Sequence, residues 1–130
     1  MKQAFETMEK YLKAINNLPE EFTGTLDERE KLIVDKVFDA LSLTAVSRDM
    51  GISTTRAGML FKRAILKIGT EVCQQDKKED YPALWELSEY VFYQAAKNDS
   101  LFNAVKPYYQ AYSKASGKKA PPSKYEIVNL

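Results

Sequence analysis

The apolar residues of this chain recur mainly at intervals of three or four positions, which is the spacing that lines one face of an α-helix. The first set is Phe5, Met8, Leu12, Ile15 and Leu18, and the second is Leu26, Ile33, Val34, Val37, Phe38 and Leu41. Pro19 ends the first predicted helix, and Thr25 with Glu28 predicts a capping box at the start of the second. The pattern therefore predicts two amphipathic helices before Ser42.

Two further helices are predicted on either side of Gly51. The first runs from about Leu43 to Met50, with Ser42 as its N-cap, and Gly51 ends it where a positive φ favours glycine. Ser53 is the predicted N-cap of the next helix. The inward side chains of that helix are Ala57, Leu60, Ala64, Ile65, Ile68 and Val72.

Two more helices are predicted in the second half of the chain, after a polar segment. Residues 74–80, QQDKKED, contain no apolar side chain and indicate an exposed helix end or linker. One helix then carries Leu84, Leu87, Val91, Phe92 and Ala95, and the last carries Leu101, Phe102, Val105, Tyr108, Tyr109 and Tyr112. Pro107 is expected to kink or restart the last helix, and Gly117 to end it. No segment alternates as a β-strand does, so the predicted fold is all-α.

The charged side chains are unevenly distributed along the chain, although the net charge is only +1. Residues 42–69 hold five basic side chains and one acid. Residues 70–99 hold seven acids and three lysines, and residues 100–130 hold five lysines and one glutamate. The absence of histidine and the lone Cys73 argue against a metal site or an internal disulfide. The amino terminus has no apolar stretch typical of a signal peptide or membrane span, so we expect a cytoplasmic protein without a membrane partner or cofactor.

Two helices joined by a glycine-centred turn, with the second helix basic, are the minimum of a helix-turn-helix. Residues 42–68 read SLTAVSRDMGISTTRAGMLFKRAILKI. They resemble region four of bacterial sigma factors, with the pattern S-L-x-E-I-A-x-x-L-G-I-S-x-x-R-V-R-Q-I-x-x-x-A-L-x-K-L. The matching positions are Ser42, Leu43, Val46, Met50, Gly51, Ile52, Ser53, Arg56, Leu60, Ala64, Ile65, Lys67 and Ile68. The preceding segment, TLDERE at 25–30, resembles the L-[DT]-x-R-E opening of the supporting helix in that family.

The resemblance spans about residues 25–70 and implies a transcription regulator of a bacterium or phage, with double-stranded DNA, RNA polymerase or both as partners. Nothing resembles the promoter-melting region two, so a complete sigma factor is not expected. The family's outward face maps onto Thr54, Thr55, Arg56, Gly58 and Met59. With the neighbouring cations and the cap, the predicted DNA-binding residues are Arg48, Ser53, Thr54, Thr55, Arg56, Met59, Lys62, Arg63 and Lys67.

The chain departs from the family at Gly58 and Met59, where an arginine and a glutamine are usual. Neither residue makes bidentate contacts to base edges, so weak sequence discrimination and reliance on a partner are expected. An alternative is that Met59 and Phe61 bind protein, as in a sigma antagonist, an adaptor or an assembly module. A second alternative is a DNA-packaging protein similar to the small terminases of phages. A homo-oligomer is compatible with each hypothesis, and no pattern predicts an enzyme.

The predicted organisation is a helix-turn-helix core with a flanking N-terminal helix and a C-terminal helical segment. Residues 1–73 hold the N-terminal helix and the helix-turn-helix module. Residues 81–116 form the helical segment on or beside it, and residues 117–130 form a flexible tail.

Overall fold

The structure is a computed structural model that describes Lys13 and residues 20–117 of the 130-residue chain. Within these residues a 3-10 turn at Glu20–Phe22 precedes five α-helices: α1 (Glu28–Ala40), α2 (Leu43–Met50), α3 (Thr54–Gln74), α4 (Pro82–Ala96) and α5 (Asp99–Ser116). The described part of the chain has no strand, which confirms the predicted all-α fold. The helix predicted over residues 1–18 and the tail predicted after Gly117 lie outside the described residues.

Helix α1 begins at a capping box two residues later than the sequence pattern predicted. The Asp27 carboxylate accepts the Glu30 N–H at 2.8 Å, and Glu30 Oε1 accepts the Asp27 N–H at 2.9 Å. The prediction of Thr25 and Glu28 is therefore wrong. Both pairs have a suitable spacing, but only Glu30 is buried, where basic side chains of α3 hold its carboxylate.

Three residues connect α2 to α3. Gly51 has φ 68° and its N–H bonds to the Arg48 carbonyl at 3.2 Å, while the Ile52 N–H bonds to the Ser47 carbonyl at 3.0 Å. These two bonds form a Schellman motif, which ends α2. Ser53 then caps α3 by accepting the Arg56 N–H at 3.1 Å. The predicted roles of Ser42, Gly51 and Ser53 are confirmed.

Helix α3 is the central helix, because it packs against α1 and α2 as well as against α4 and α5. Its buried apolar residues are Ala57, Leu60, Phe61, Ala64, Ile65, Leu66, Ile68 and Val72. All six predicted inward residues belong to this set. Leu66 was not predicted as inward, whereas Phe61 was expected to flank the exposed face with at least partial burial. Both are buried because helices cover α3 on more than one side.

Helices α4 and α5 pack against each other through an aromatic cluster, and both pack on α3. Tyr112 stacks on Trp85 with ring centroids 5.2 Å apart, and Phe92 stacks on Tyr109 at 4.4 Å. Helix α4 approaches α3 closely at Gly69, where a Cβ atom would lie 2.4 Å from the Ser88 Cβ. A glycine is therefore required there by the proximity of α4.

Helix α5 runs from Asp99 to Ser116 with Pro107 inside it. The proline therefore does not restart the helix, which was one of the two outcomes that the sequence predicted. Gly117 follows in the left-handed conformation and ends the helix, as predicted. None of the described helices is both long enough and apolar enough to cross a membrane.

Candidate nucleic-acid interface

The candidate interface is the surface formed by α2, the turn and the first half of α3. Arg48 lies in the last turn of α2, and Thr55 and Arg56 lie in the first turn of α3, all with exposed side chains. The Ser53 hydroxyl is used as the helix cap, and the Thr54 hydroxyl lies 3.2 Å from that of Ser47. Of the predicted DNA-binding hydroxyls, that of Thr54 therefore joins the two helices and that of Ser53 caps α3, while Thr55 is exposed.

Three cations of this surface are without a charged partner. Within the described part of the chain, Arg48, Arg56 and Lys62 form no ion pair. The one acid of the segment, Asp49, is paired with Lys36 of α1. Arg48 and Arg56 are exposed, whereas Lys62 is partly buried, and this burial lowers the pKa of its ammonium group. Net positive charge therefore remains on the surface around the turn.

The other two predicted phosphate-binding cations are engaged inside the protein. Arg63 Nε donates to Glu30 Oε2 at 2.7 Å, and Lys67 Nζ donates to Glu30 Oε1 at 2.7 Å. The Glu30 side chain is 0% exposed, against 28% for Arg63 and 16% for Lys67. Both cations were predicted to face phosphates, and the structure gives them a buried carboxylate as a partner.

A second acid and an aromatic ring complete this cluster. Arg63 also lies 3.7 Å from the Asp27 carboxylate. The pKa of Asp27 is lowered, chiefly because the carboxylate accepts the Glu30 N–H and also because the Arg63 and Lys67 cations are near. The Tyr108 ring of α5 covers both cations, with its centroid 4.7 Å from Lys67 Nζ and 5.4 Å from the Arg63 guanidinium carbon.

The resemblance to sigma factors placed Gly58 on the outward face of the second helix, and this prediction is wrong. Gly58 is buried, and a Cβ there would lie 3.9 Å from Leu43 Cδ1, so this position faces α2 and not outward. Phe61 is 0% exposed and packs edge-on against Phe38 with centroids 6.4 Å apart. Its ring belongs to the core and is not available to a protein partner. Met59 is partly buried against the same core.

Glu30 and Tyr108 are the two residues of this region that sequence patterns did not single out as functional. A signal for Glu30 was present, because it shares the α1 face of Ile33, Val34 and Val37. A charged residue on an apolar face requires a partner of opposite charge. No local signal points to Tyr108, because its partners lie on a different helix.

The described residues contain no group of histidine, cysteine, aspartate and glutamate side chains that could hold a metal ion. Compared with models of protein families, with curated proteins and with solved structures, the chain matches none.

Proposed function

We propose that this protein is a transcription regulator that binds double-stranded DNA through a helix-turn-helix formed by α2 and α3. One observation carries the proposal. Arg48 and Arg56 are exposed on either side of the turn without an ion pair to any described residue, while Asp49, the acid nearest to them in sequence, is neutralised by Lys36. Arg56 lies in the first turn of α3, and an unpaired cation at a helix amino terminus favours the binding of phosphate groups.

The proposed docking follows from the helix arrangement. The 21-residue α3 is long enough for its amino-terminal turns to enter a major groove while its remainder stays packed in the core. Thr55 and Arg56 of that first turn face base edges, and Arg48 of α2 contacts the phosphate backbone. Met59 supplies no hydrogen bonds to bases and Gly58 faces α2, so a partner such as RNA polymerase provides much of the placement.

The expected affinity is weak and depends strongly on salt. Three phosphate contacts from Arg48, Arg56 and Lys62 correspond to a salt slope of about 2.7, so binding weakens about 40-fold between 50 and 200 mM salt. The hypothesis that Met59 and Phe61 bind a protein has less support, because the Phe61 ring is fully buried.

The test is a fluorescence-anisotropy titration of a labelled DNA duplex at several salt concentrations. Arg56→Ala is expected to weaken binding to a preferred duplex by about 1–3 kcal/mol, and Arg48→Ala to weaken all duplexes alike and to lower the salt slope by about 0.9. Lys97→Ala is the matched control, because Lys97 is exposed at the end of α4.

Binding that is unaffected by Arg48→Ala and Arg56→Ala, or affected equally by Lys97→Ala, contradicts the proposed interface. A pull-down with RNA polymerase tests the second partner. Capture of the polymerase that is lost on replacing Arg48 or Arg56 would assign the same surface to protein instead of DNA.

A further inference from the structure

Glu30 has an unusual environment for an acidic residue, because its side chain is fully buried on the apolar face of α1. Its carboxylate accepts three donors: the Asp27 N–H at 2.9 Å, Arg63 Nε at 2.7 Å and Lys67 Nζ at 2.7 Å. A buried carboxylate is tolerated only when such partners compensate for the loss of hydration. The fold therefore holds Arg63 and Lys67 at this position.

Tyr108 closes the cluster from the side of α5. Its ring lies over the Lys67 ammonium and the Arg63 guanidinium, and Lys67 Nζ makes a further contact of 3.3 Å with the Thr25 carbonyl. The two cations are thus bonded to Glu30, covered by an aromatic face and mostly removed from water. Cations in this state do not neutralise phosphates and therefore release few of the counterions that are condensed on DNA.

The same two cations lie on the stripe of α3 that carries Arg56. Residues 56, 63 and 67 are separated by seven and four positions, so their side chains leave the helix in nearly the same direction. Lys67 lies about 16 Å along the axis from Arg56, which is somewhat more than the width of about 12 Å of a major groove. Without Glu30 and Tyr108, this stripe would present three cations to DNA instead of one.

We propose that Glu30 and Tyr108 withhold Arg63 and Lys67 from DNA, so that the packing of α5 on α3 limits the number of phosphates this protein neutralises. The inference rests on the proposed function and adds an autoinhibitory contact to it. Displacement of Tyr108 from α3 opens the two cations to solvent, where phosphates compete with Glu30 for them, and the number of available phosphate contacts rises from three towards five.

Glu30→Gln is the central variant, because glutamine keeps the capping-box acceptor of α1 but removes the charge that holds the cations. With five contacts the salt slope is expected to rise from about 2.7 to about 4.5, and the loss of binding between 50 and 200 mM salt from about 40-fold to about 500-fold. Glu28→Gln is the matched control, because it makes the same change in net charge at an exposed position of α1.

Lys67→Gln is combined with Glu30→Gln to identify the released charge. In the otherwise unchanged protein Lys67→Gln is expected to leave the salt slope as it is, whereas in the Glu30→Gln background it lowers the slope by about 0.9. Tyr108→Leu keeps Glu30 and serves if Glu30→Gln does not fold; it is expected to raise the slope while leaving the helical content unchanged.

A second measurement does not depend on DNA. Lysine acetylation, quantified by mass spectrometry on the folded protein, is expected to be about tenfold slower at Lys67 than at the exposed Lys31, because a charge-assisted hydrogen bond must open first. Glu30→Gln and Tyr108→Leu should each bring the rate at Lys67 towards that at Lys31. Equal rates in the unchanged protein would overturn the inference.

The outcomes separate the two proposals. Binding that depends on Arg56 but keeps its salt slope in both Glu30→Gln and Tyr108→Leu overturns the autoinhibitory contact alone. A decrease of the slope with Lys67→Gln in the unchanged protein does the same, because Lys67 would then already contact DNA. Failure of the unchanged protein and of Glu30→Gln to bind any duplex removes the proposed function and this inference with it.

Discussion

Gly69 and Gly58 lie on the same helix and allow one packing prediction to be tested with its own control. A Cβ at Gly69 would lie 2.4 Å from Ser88 Cβ, 2.6 Å from Ser88 Oγ and 2.8 Å from Tyr112 Cε2. Because carbon atoms in contact are about 3.5–4.0 Å apart, α4 and α5 would have to move by about 1 Å. At Gly58 the nearest atom is Leu43 Cδ1 at 3.9 Å, which is an ordinary contact.

The two alanine substitutions should therefore change the free energy of unfolding in opposite directions. Alanine is favoured over glycine in a helix interior by about 1 kcal/mol, and Gly58→Ala should gain up to that amount. Overpacking typically costs about 1–3 kcal/mol and occasionally more, and here it involves two helices. We expect a net loss of about 1–3 kcal/mol for Gly69→Ala, after its own gain in helix propensity.

Urea denaturation followed by circular dichroism measures both changes. The single tryptophan, Trp85, stacks on Tyr112, so its fluorescence reports a displacement of α4 and α5 in Gly69→Ala. Stabilisation by Gly69→Ala equal to that by Gly58→Ala would refute the close packing of α4 on α3. Destabilisation by Gly58→Ala would refute the ordinary contact with Leu43.

Three further predictions concern the turn, the first cap and the core. Gly51→Ala should destabilise the protein by about 1–2 kcal/mol because φ is 68° there, and Gly51→Asn by less; equal urea midpoints for all three proteins would contradict the strain argument. Asp27→Ala should cost about 0.5–2 kcal/mol at neutral pH. The folded state lowers the pKa of Asp27, so the stabilisation by this carboxylate is present above the unfolded pKa and is lost as pH falls through the folded pKa. A difference in Tm between the unchanged protein and Asp27→Ala that persists at about pH 2 would argue against this. Phe61→Ala should cost about 3–5 kcal/mol in urea denaturation and Met59→Ala clearly less, whereas equal costs would place Phe61 outside the core.

The sequence by itself determined most of the secondary structure of the described residues. Helix spacing, the Ser42 and Ser53 caps and the left-handed Gly51 are local properties of the chain, because each depends on residues within about one helical turn. The same locality explains the error at α1. Two capping pairs, Thr25 with Glu28 and Asp27 with Glu30, are equally good within the sequence, and contacts from α3 select the second.

Tertiary structure decided which of the predicted functional residues are available to a partner. Periodicity assigns one apolar face to a helix, but α3 is covered by four other helices, which buries Phe61 in addition to the predicted face. Arg63 and Lys67 look equivalent to Arg56 in the sequence. Their partner, Glu30, lies 33 and 37 positions away, and Tyr108 lies on the last described helix. The positive charge that remains unpaired on the surface of α2 and α3 is therefore a property of the packed helices, because burial and pairing across the chain are what separate a solvated cation from a neutralised one.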